Sequence, residues 1–256
     1  MSRSRASHRR AALPLMSTLA VLLSGCGVGS SKPAPTLDGS GVVATERRQV
    51  APFEAISVEG DFEVLVRVAP ETSLTLTGDD NLLPLVRTEV REGTLHIGAA
   101  RGVSSRRGIR VSLTTPSLQA VAVSGSSRVD ARRFRAEAFR ASVSGSGNLS
   151  AEGETRTLEI ALSGSGNARV TGSAERVAAA LSGSGDLDLL RLSARTADVQ
   201  VSGSGTAALL ASDELNASVS GSGDVFYGGA PRVTSHITGS GTVEPVGSAT
   251  PPTNGV

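Results

Sequence analysis

A short phrase, an aliphatic residue followed by Ser-Gly-Ser-Gly or a near copy of it, recurs seven times in the second half of this 256-residue chain. The copies begin at Ser124, Ser144, Ser163, Ser182, Ser202, Ser220 and Thr238, so the spacings are 20, 19, 19, 20, 18 and 18 residues. A nearly fixed period of this size marks a stacked repeat, in which each unit buries its apolar face against the next and none folds by itself. Such a chain grows by adding rungs along one axis, which favours a binding or structural role over catalysis.

The residues one, three and five places before each phrase are mainly apolar: Phe139, Ala141 and Val143; Leu158, Ile160 and Leu162; Val177, Ala179 and Leu181; Ala197, Val199 and Val201; Leu215, Ala217 and Val219. The same parity resumes beyond it, with Leu149 and Ala151, Ala168 and Val170, Leu187 and Leu189, Ala207 and Leu209, Val225 and Tyr227. Period two means one buried face per strand. Unbroken parity through the phrase puts both glycines on the inner side of a bend and the serines outside, where successive coils align them as hydroxyl ladders. The residue that follows is Asn148, Asn167, Asp186, Thr206, Asp224 or Thr242, short polar types that bond to turn backbone. One repeat thus reads as two short strands joined at a glycine corner. The fold class is all-β, a parallel β-helix or β-solenoid of about 18–20 residues per repeat. Its core is lean and aliphatic, because the whole chain has five Phe, one Tyr and no Trp.

Ahead of the repeats, Phe62, Val64, Val66 and Val68 alternate with polar or smaller-faced neighbours, followed by Leu74 and Leu76, Leu95 and Ile97, and Ile109, Val111 and Leu113. Turn residues stand between them at Gly60-Asp61, Gly78-Asp79 and Glu92-Gly93, and Asn81 to Val86 allows one short helical turn. This strand-rich N-terminal part is expected to cap the solenoid. In the first phrase Ser127 replaces the second glycine, which predicts a looser corner there.

The beginning of the chain is an address. Arg3, Arg5, Arg9 and Arg10 precede a 13-residue, mostly apolar run from Ala11 to Leu23, too short to span a bilayer. Leu23-Ser24-Gly25-Cys26 resembles the lipobox of bacterial lipoproteins, which implies cleavage before Cys26 and a diacylglyceryl group on its thiol. Cys26 is the single cysteine, so no intramolecular disulfide forms. The chain is thus expected to divide into a lipoprotein signal peptide (1–25), lipidated Cys26 with a flexible Ser/Gly/Pro-rich tether (26–46), the N-terminal β part (47–123), the Gly-Ser-Gly repeat solenoid (124–245) and a disordered tail (246–256). The tether reaches roughly 20–25 Å as a random coil. Four of the 25 basic residues lie in the leader and none of the 24 acids does, so the remainder carries 21 positive and 24 negative charges, net −3. Nothing in that balance suits nucleic acid.

The chain also resembles a bacterial group, the "putative autotransporter-adhesin head GIN domain" family, over about residues 47–243. The resemblance rests on Val50-Ala51-Pro52-Phe53-Glu54-Ala55-Ile56, Gly78-Asp79-Asp80-Asn81-Leu82-Leu83-Pro84-Leu85-Val86, Thr88-Glu89-Val90, Gly93-Thr94-Leu95-His96-Ile97, Pro116-Ser117-Leu118 and the Gly-Ser-Gly phrases. It implies a β-helical fold akin to pectin lyases, frequent lipid anchoring and a role in adhesion.

The residues themselves argue against an enzyme. Many serines are present, but beyond the leader only His96 and His236 could activate one, and no triad follows from their spacing. Asp186 and Asp224 follow their phrases as ligands do in calcium-binding repeats, yet Asn and Thr fill the same column elsewhere, short of the six to eight oxygens calcium takes. No cofactor motif is present. Arg101, Arg106, Arg107 and Arg110 lie in an acid-free Gly/Ser-rich segment, Arg128, Arg132, Arg133, Arg135 and Arg140 follow mixed with Asp130 and Glu137, and these arginines form a candidate contact for anionic glycans or lipid headgroups. The expectation is a non-enzymatic, lipid-anchored envelope protein that presents a recognition surface to glycans or to envelope and surface proteins. Gly27 after Cys26 favours the outer membrane, at its periplasmic face or the cell surface. The alternative from the same residues is an architectural module that self-associates into a homo-oligomer. A polysaccharide-active β-helix enzyme is the more distant one.

Overall fold

The computed structural model describes residues 36–100 and 102–246, and every structural statement below concerns these. The expected signal peptide, Cys26 and the tail beyond residue 246 lie outside them. Strands dominate and there is no α-helix; one turn of 3-10 helix, Leu83–Leu85, falls within the segment expected to make a short helical turn.

The short strands β1 (Leu37–Asp38), β2 (Val43–Arg48), β3 (Ala55–Gly60), β4 (Glu63–Val68), β5 (Ser73–Asp79), β6 (Val86–Arg91), β7 (Thr94–Ala99), β8 (Val103–Ser104), β9 (Arg110–Thr115) and β10 (Ala120–Gly125) come first. Five long strands follow, one per coil: β11 (Arg128–Gly145), β12 (Asn148–Gly164), β13 (Asn167–Gly183), β14 (Asp186–Gly203) and β15 (Thr206–Gly221). The last coils are β16 (Asp224–Gly228), β17 (Arg232–Gly239) and β18 (Thr242–Pro245). The long strands pair in parallel and in register, Val143 with Leu162, Leu162 with Leu181, Leu181 with Val201, Val201 with Val219. This is the stacked β-solenoid that the period predicts. Each coil runs as strand from corner to corner rather than as two separate strands, because the ladder bends with the chain instead of breaking. Differences in coil length are absorbed at bulges far from the glycines, between Arg132 and Phe134, Arg169 and Gly172, and Leu189 and Ser193.

The corners differ from the expected geometry. The second glycine is buried at Gly147, Gly166, Gly185, Gly205 and Gly223 and half-buried at Gly241; the first is exposed or half-buried throughout. The two glycines meet separate demands. The first takes φ between +102° and +125° from Gly145 to Gly239, a backbone region that side chains avoid. Its carbonyl accepts N–H groups of the next corner, as Gly145 O does from Ser165 N at 2.9 Å and Gly166 N at 3.0 Å. The second lies against the coil before it: a Cβ on Gly185 would stand 2.1 Å from Gly166 O. The corner thus turns on the first glycine, and both glycines pack against the coil before.

The parallel stack begins before the first phrase. β3 lies between β7 and β10, and Gly60 stands in register with Gly125; β4 lies between β9 and β11. The chain therefore lays down β3–β4, leaves through β5 and β6, returns as β7 and β9 on the far side, and crosses to β10. Thr115, fully buried, holds this crossing by donating its hydroxyl to Phe53 O at 2.6 Å. Antiparallel strands close that end: β6 on β7, β5 on β9, and β2 on β5. Capping thus falls to β2, β5 and β6, while β3, β4, β7 and β9 are rungs. The Arg48 guanidinium fastens the cap through the carbonyls of Leu83 and Val86, at 2.9 and 2.6 Å. The expected tether is also shorter than the sequence suggests, since β1 pairs with β8 and β2 starts at Val43.

Nor is the corner at Ser127 loose. Ser127 is completely buried; its Oγ donates to Gly60 O at 3.0 Å and accepts the N–H of Phe62 at 3.1 Å. The hydroxyl joins the rung without a full phrase to the first rung with one. Ser127→Ala leaves the buried Phe62 N–H unpaired and is expected to cost about 1–3 kcal/mol in denaturant unfolding. The neighbouring Ser126→Ala, at an exposed position, is expected to cost next to nothing.

Inside, the coils stack aliphatic side chains in columns from Ile56 and Val58 to Val219 and Val225. A single aromatic pair interrupts them. Phe134 and Phe139 of β11 stack with ring centroids 3.9 Å apart and planes 11° from parallel, both buried.

Candidate recognition surface

What leaves the core on one side enters the surface in rows on the other. Along the strands that run into the corners, the outward position three before the first glycine is Ser57, Ala122, Ser142, Ala161, Ala180 and then Gln200, in unbroken register. From Ser57 to Ala180 this row carries only alanine and serine side chains, so that part of the face is almost flat. It holds a shallow depression of about 570 Å³, floored by Ala122, Ala161, Ala178 and Ala180 and flanked by Arg140 and Glu159. The phrase serines Ser144, Ser163, Ser182, Ser202 and Ser220 form the next row, all exposed.

Beyond the corner the polar residues bond between coils rather than to their own turns, contrary to the sequence reading. Asn167 Nδ2 donates to Asn148 Oδ1 at 3.0 Å, and Asp224 Oδ1 accepts Thr242 N at 3.0 Å and Thr242 Oγ1 at 2.9 Å. Opposite charges one period apart also join coils: Arg140 with Glu159 at 2.7 Å, Arg156 with Glu175 at 3.1 Å, Arg169 with Asp188 at 2.8 Å and Arg195 with Asp213 at 2.8 Å. The hydroxyl of Ser212 and then the Arg195 guanidinium hold the Asp213 carboxyl below its ordinary range. These pairs are solvent-exposed, so each adds little to stability, and their main effect is to fix register. Sequence reading missed them, although residues of opposite sign 18 or 19 places apart were there to be found.

The candidate arginines do not form one group. Arg101 lies outside the described residues, as does Cys26. Arg106 and Arg107 are exposed on the loop between β8 and β9. That loop hangs from buried Asp79, whose Oδ2 accepts the Ser105 hydroxyl at 2.6 Å while Oδ1 accepts Gly41 N at 3.0 Å. Arg110 instead stands on β9 and pairs with Glu63 of β4 at 2.9 Å. His96 and His236, both exposed, sit on β7 and β17 near opposite ends of the stack. Among the described residues no three His, Cys, Asp or Glu side chains are grouped to hold a metal ion. The buried polar side chains Asp79, Thr115 and Ser127 all carry hydrogen bonds within the fold, so they are structural.

With the fold and surface described, comparison with known proteins places the chain. The sequence profile of a family described as "Putative auto-transporter adhesin, head GIN domain" matches residues 52–231, from the approach to β3 to the residue before β17. The chain belongs to this family. The head GIN fold recurs in solved structures. A "putative adhesin" from Bacteroides fragilis is similar at TM-score 0.77 and 21% identity, covering 82% of this chain and 100% of the other. One from Parabacteroides distasonis gives 0.68 and 26% over 83% and 100%. A "putative lipid binding protein" from Parabacteroides distasonis gives 0.69 and 23% over the same shares, 83% and 100%. No curated protein matches the sequence.

Proposed function

We propose that this head GIN protein is a non-enzymatic, lipid-anchored protein of the cell envelope, and that its solenoid is a recognition surface for extended partners such as glycan chains on envelope or cell surfaces. The observation that carries this reading is the registered outer face. Rows of Ala and Ser repeat at the strand spacing of about 4.8 Å and leave a flat, shallow depression with polar borders. An extended polymer meets such a face with the same contacts at each step, whereas a compact substrate finds no enclosed pocket there. Family membership and the adhesin names of similar structures agree with it. Cys26 supplies the anchor in this reading.

A glycan array probed with the full chain tests the reading. Retention of at least one class of extended glycan is expected, with loss on Ala161→Arg/Ala180→Arg, which fills the depression without touching the core. In the producing cells Cys26→Ser is expected to move the protein from the membrane to the soluble fraction. No glycan retained, or retention unchanged by the arginine pair, contradicts the recognition surface; a Cys26→Ser protein that stays with the membrane contradicts the anchor.

The last coil favours a second reading, self-association. β17 and β18 each pair on one side only, with β15 and β16, and Ile237 is 42% exposed at that end. Light scattering separates the two: a monomer at micromolar concentration removes the second reading.

A further inference from the structure

At one place on the strands that leave the corners, the charge pattern departs from its rule. Elsewhere the coils set arginine against acid. Here Arg67 of β4 stands directly opposite Arg132 of β11, in register. Arg110 and Arg128 flank Glu63 in the row at the start of these strands, on β9 and β11. Arg133 is the extra residue of the β11 bulge and takes φ +63°, a left-handed backbone that arginine has no intrinsic reason to adopt. Five guanidinium groups thus share three consecutive rungs with Glu63 and Asp130, and Glu152 stands on the next rung. Two of the acids are engaged: Glu63 holds Arg110 at 2.9 Å and Asp130 holds Arg132 at 2.6 Å. The side chains of Arg67, Arg128 and Arg133 have no hydrogen bond or ion pair among the described residues and are exposed. Like charges facing each other across neighbouring strands destabilise a sheet, and Asp130 neutralises only Arg132 of this pair, which leaves Arg67 for a negative partner.

The space between these side chains is continuous along the stack. A depression of about 220 Å³ lies among Arg67, Arg132, Arg133 and Glu152. Arg67 and Arg132 also border the next, of about 350 Å³, which ends at Arg128. Arg128 in turn borders a third, of about 460 Å³, lined by Asn148, Ser150, Asn167, the Arg169–Asp188 pair and Asp186. The trough is therefore cationic at one end and mixed at the other, where the amides and the hydroxyl stand beside Asp186 and the mutually paired Arg169 and Asp188. We propose that it binds an acidic polysaccharide, with Arg67, Arg128 and Arg133 on the anionic groups of the sugar chain and Asn148, Ser150 and Asn167 on its hydroxyls. Guanidinium forks match carboxylates in pairs of parallel hydrogen bonds, and a polymer running along the axis meets them on successive rungs. The length of the trough and its amide end favour a polymer over a single phosphate. This site lies on a different face from the alanine depression and stands or falls separately from it.

Titration of the full chain with polygalacturonate at low salt, read by calorimetry, tests the proposal. Binding is expected that fades on raising salt to about 0.5 M, as exposed ion pairs do. Arg67→Gln/Arg128→Gln is expected to weaken it by about tenfold or more at an unchanged melting temperature. Glu152→Gln is expected to tighten it, and Arg106→Gln/Arg107→Gln to leave it alone. Equal binding of neutral dextran, polymer binding that survives the double variant, no polymer binding at all, or capture by phosphatidylglycerol vesicles in place of the polymer would each overturn it.

Discussion

Gly164→Ala is expected to destabilise the protein by about 2–6 kcal/mol, enough to remove much of the stability of an ordinary domain. Two independent terms add at this position. Gly164 has φ +111°, where an L side chain strains the backbone, and a Cβ there would stand 2.5 Å from Gly145 O. The carbonyl cannot retreat, because it accepts the N–H groups of Ser165 and Gly166 in the same corner. Relief requires the two coils to separate, and a stack in which each coil touches only its neighbours transmits that loss in both directions. Gly93→Ala separates the terms. Gly93 also has positive φ, +73°, but its Cβ would meet nothing within 4 Å. Its cost is expected near 1 kcal/mol, from backbone strain alone. Urea unfolding of the two variants and the parent provides the comparison. Equal effects would mean that the corners are not in contact.

Phe134→Ala is expected to cost about 3–5 kcal/mol by the same measurement, the usual range for deleting a buried phenyl ring. The ring is 1% exposed and stacks on Phe139. Nothing nearby can collapse into the space, because the residue above it on the next coil is Gly153. A Cβ on Gly153 would lie 2.5 Å from Phe134 Cγ and 2.3 Å from Phe134 O, so glycine is required there to admit the ring. The smaller Phe226→Ala change serves as a contrast: Phe226 is only half-buried, on β16, and its loss is expected to cost clearly less.

Much of the stack was readable from the residues because its two periods are independent. Alternation such as Leu158, Ile160 and Leu162 reports which side of a strand is buried, and the return of Ser-Gly-Ser-Gly reports where the coil closes. Neither period reports how a coil is inserted. The rung made of β3 and β4 carries only Gly60 of the phrase, and it lies between strands that come later in the chain, so no local pattern reveals its place. The outward turn of the first glycine was missed for a related reason. Parity counting assumes extended backbone, and a residue at φ near +120° departs from it. Ser127 seemed a defect in the phrase because its partners, Gly60 and Phe62, are more than sixty residues away.

The surface was less readable than the core. Composition marked the arginines from Arg101 to Arg110 and from Arg128 to Arg140 as basic runs, yet the structure places Arg106 and Arg107 on a loop and brings Arg67, which no run includes, beside Arg110, Arg128, Arg132 and Arg133. Charge clusters on a solenoid form across coils, perpendicular to the chain, so nearness in sequence is a poor guide to them. The ion pairs between coils follow the same logic, each joining residues 18 or 19 places apart.

The stacking itself is tested most directly by cross-linking across one period. Ser163 and Ser182 are outward-facing and in register on neighbouring coils, which puts their Cα atoms about 4.8 Å apart, within disulfide reach. Ser163→Cys/Ser182→Cys is expected to form that bond under mild oxidation, identified by peptide mapping, whereas Ser163→Cys/Ser202→Cys, two coils apart, is not. Failure of the first pair, or equal linkage of both, would contradict a rigid stack of coils joined at glycine corners.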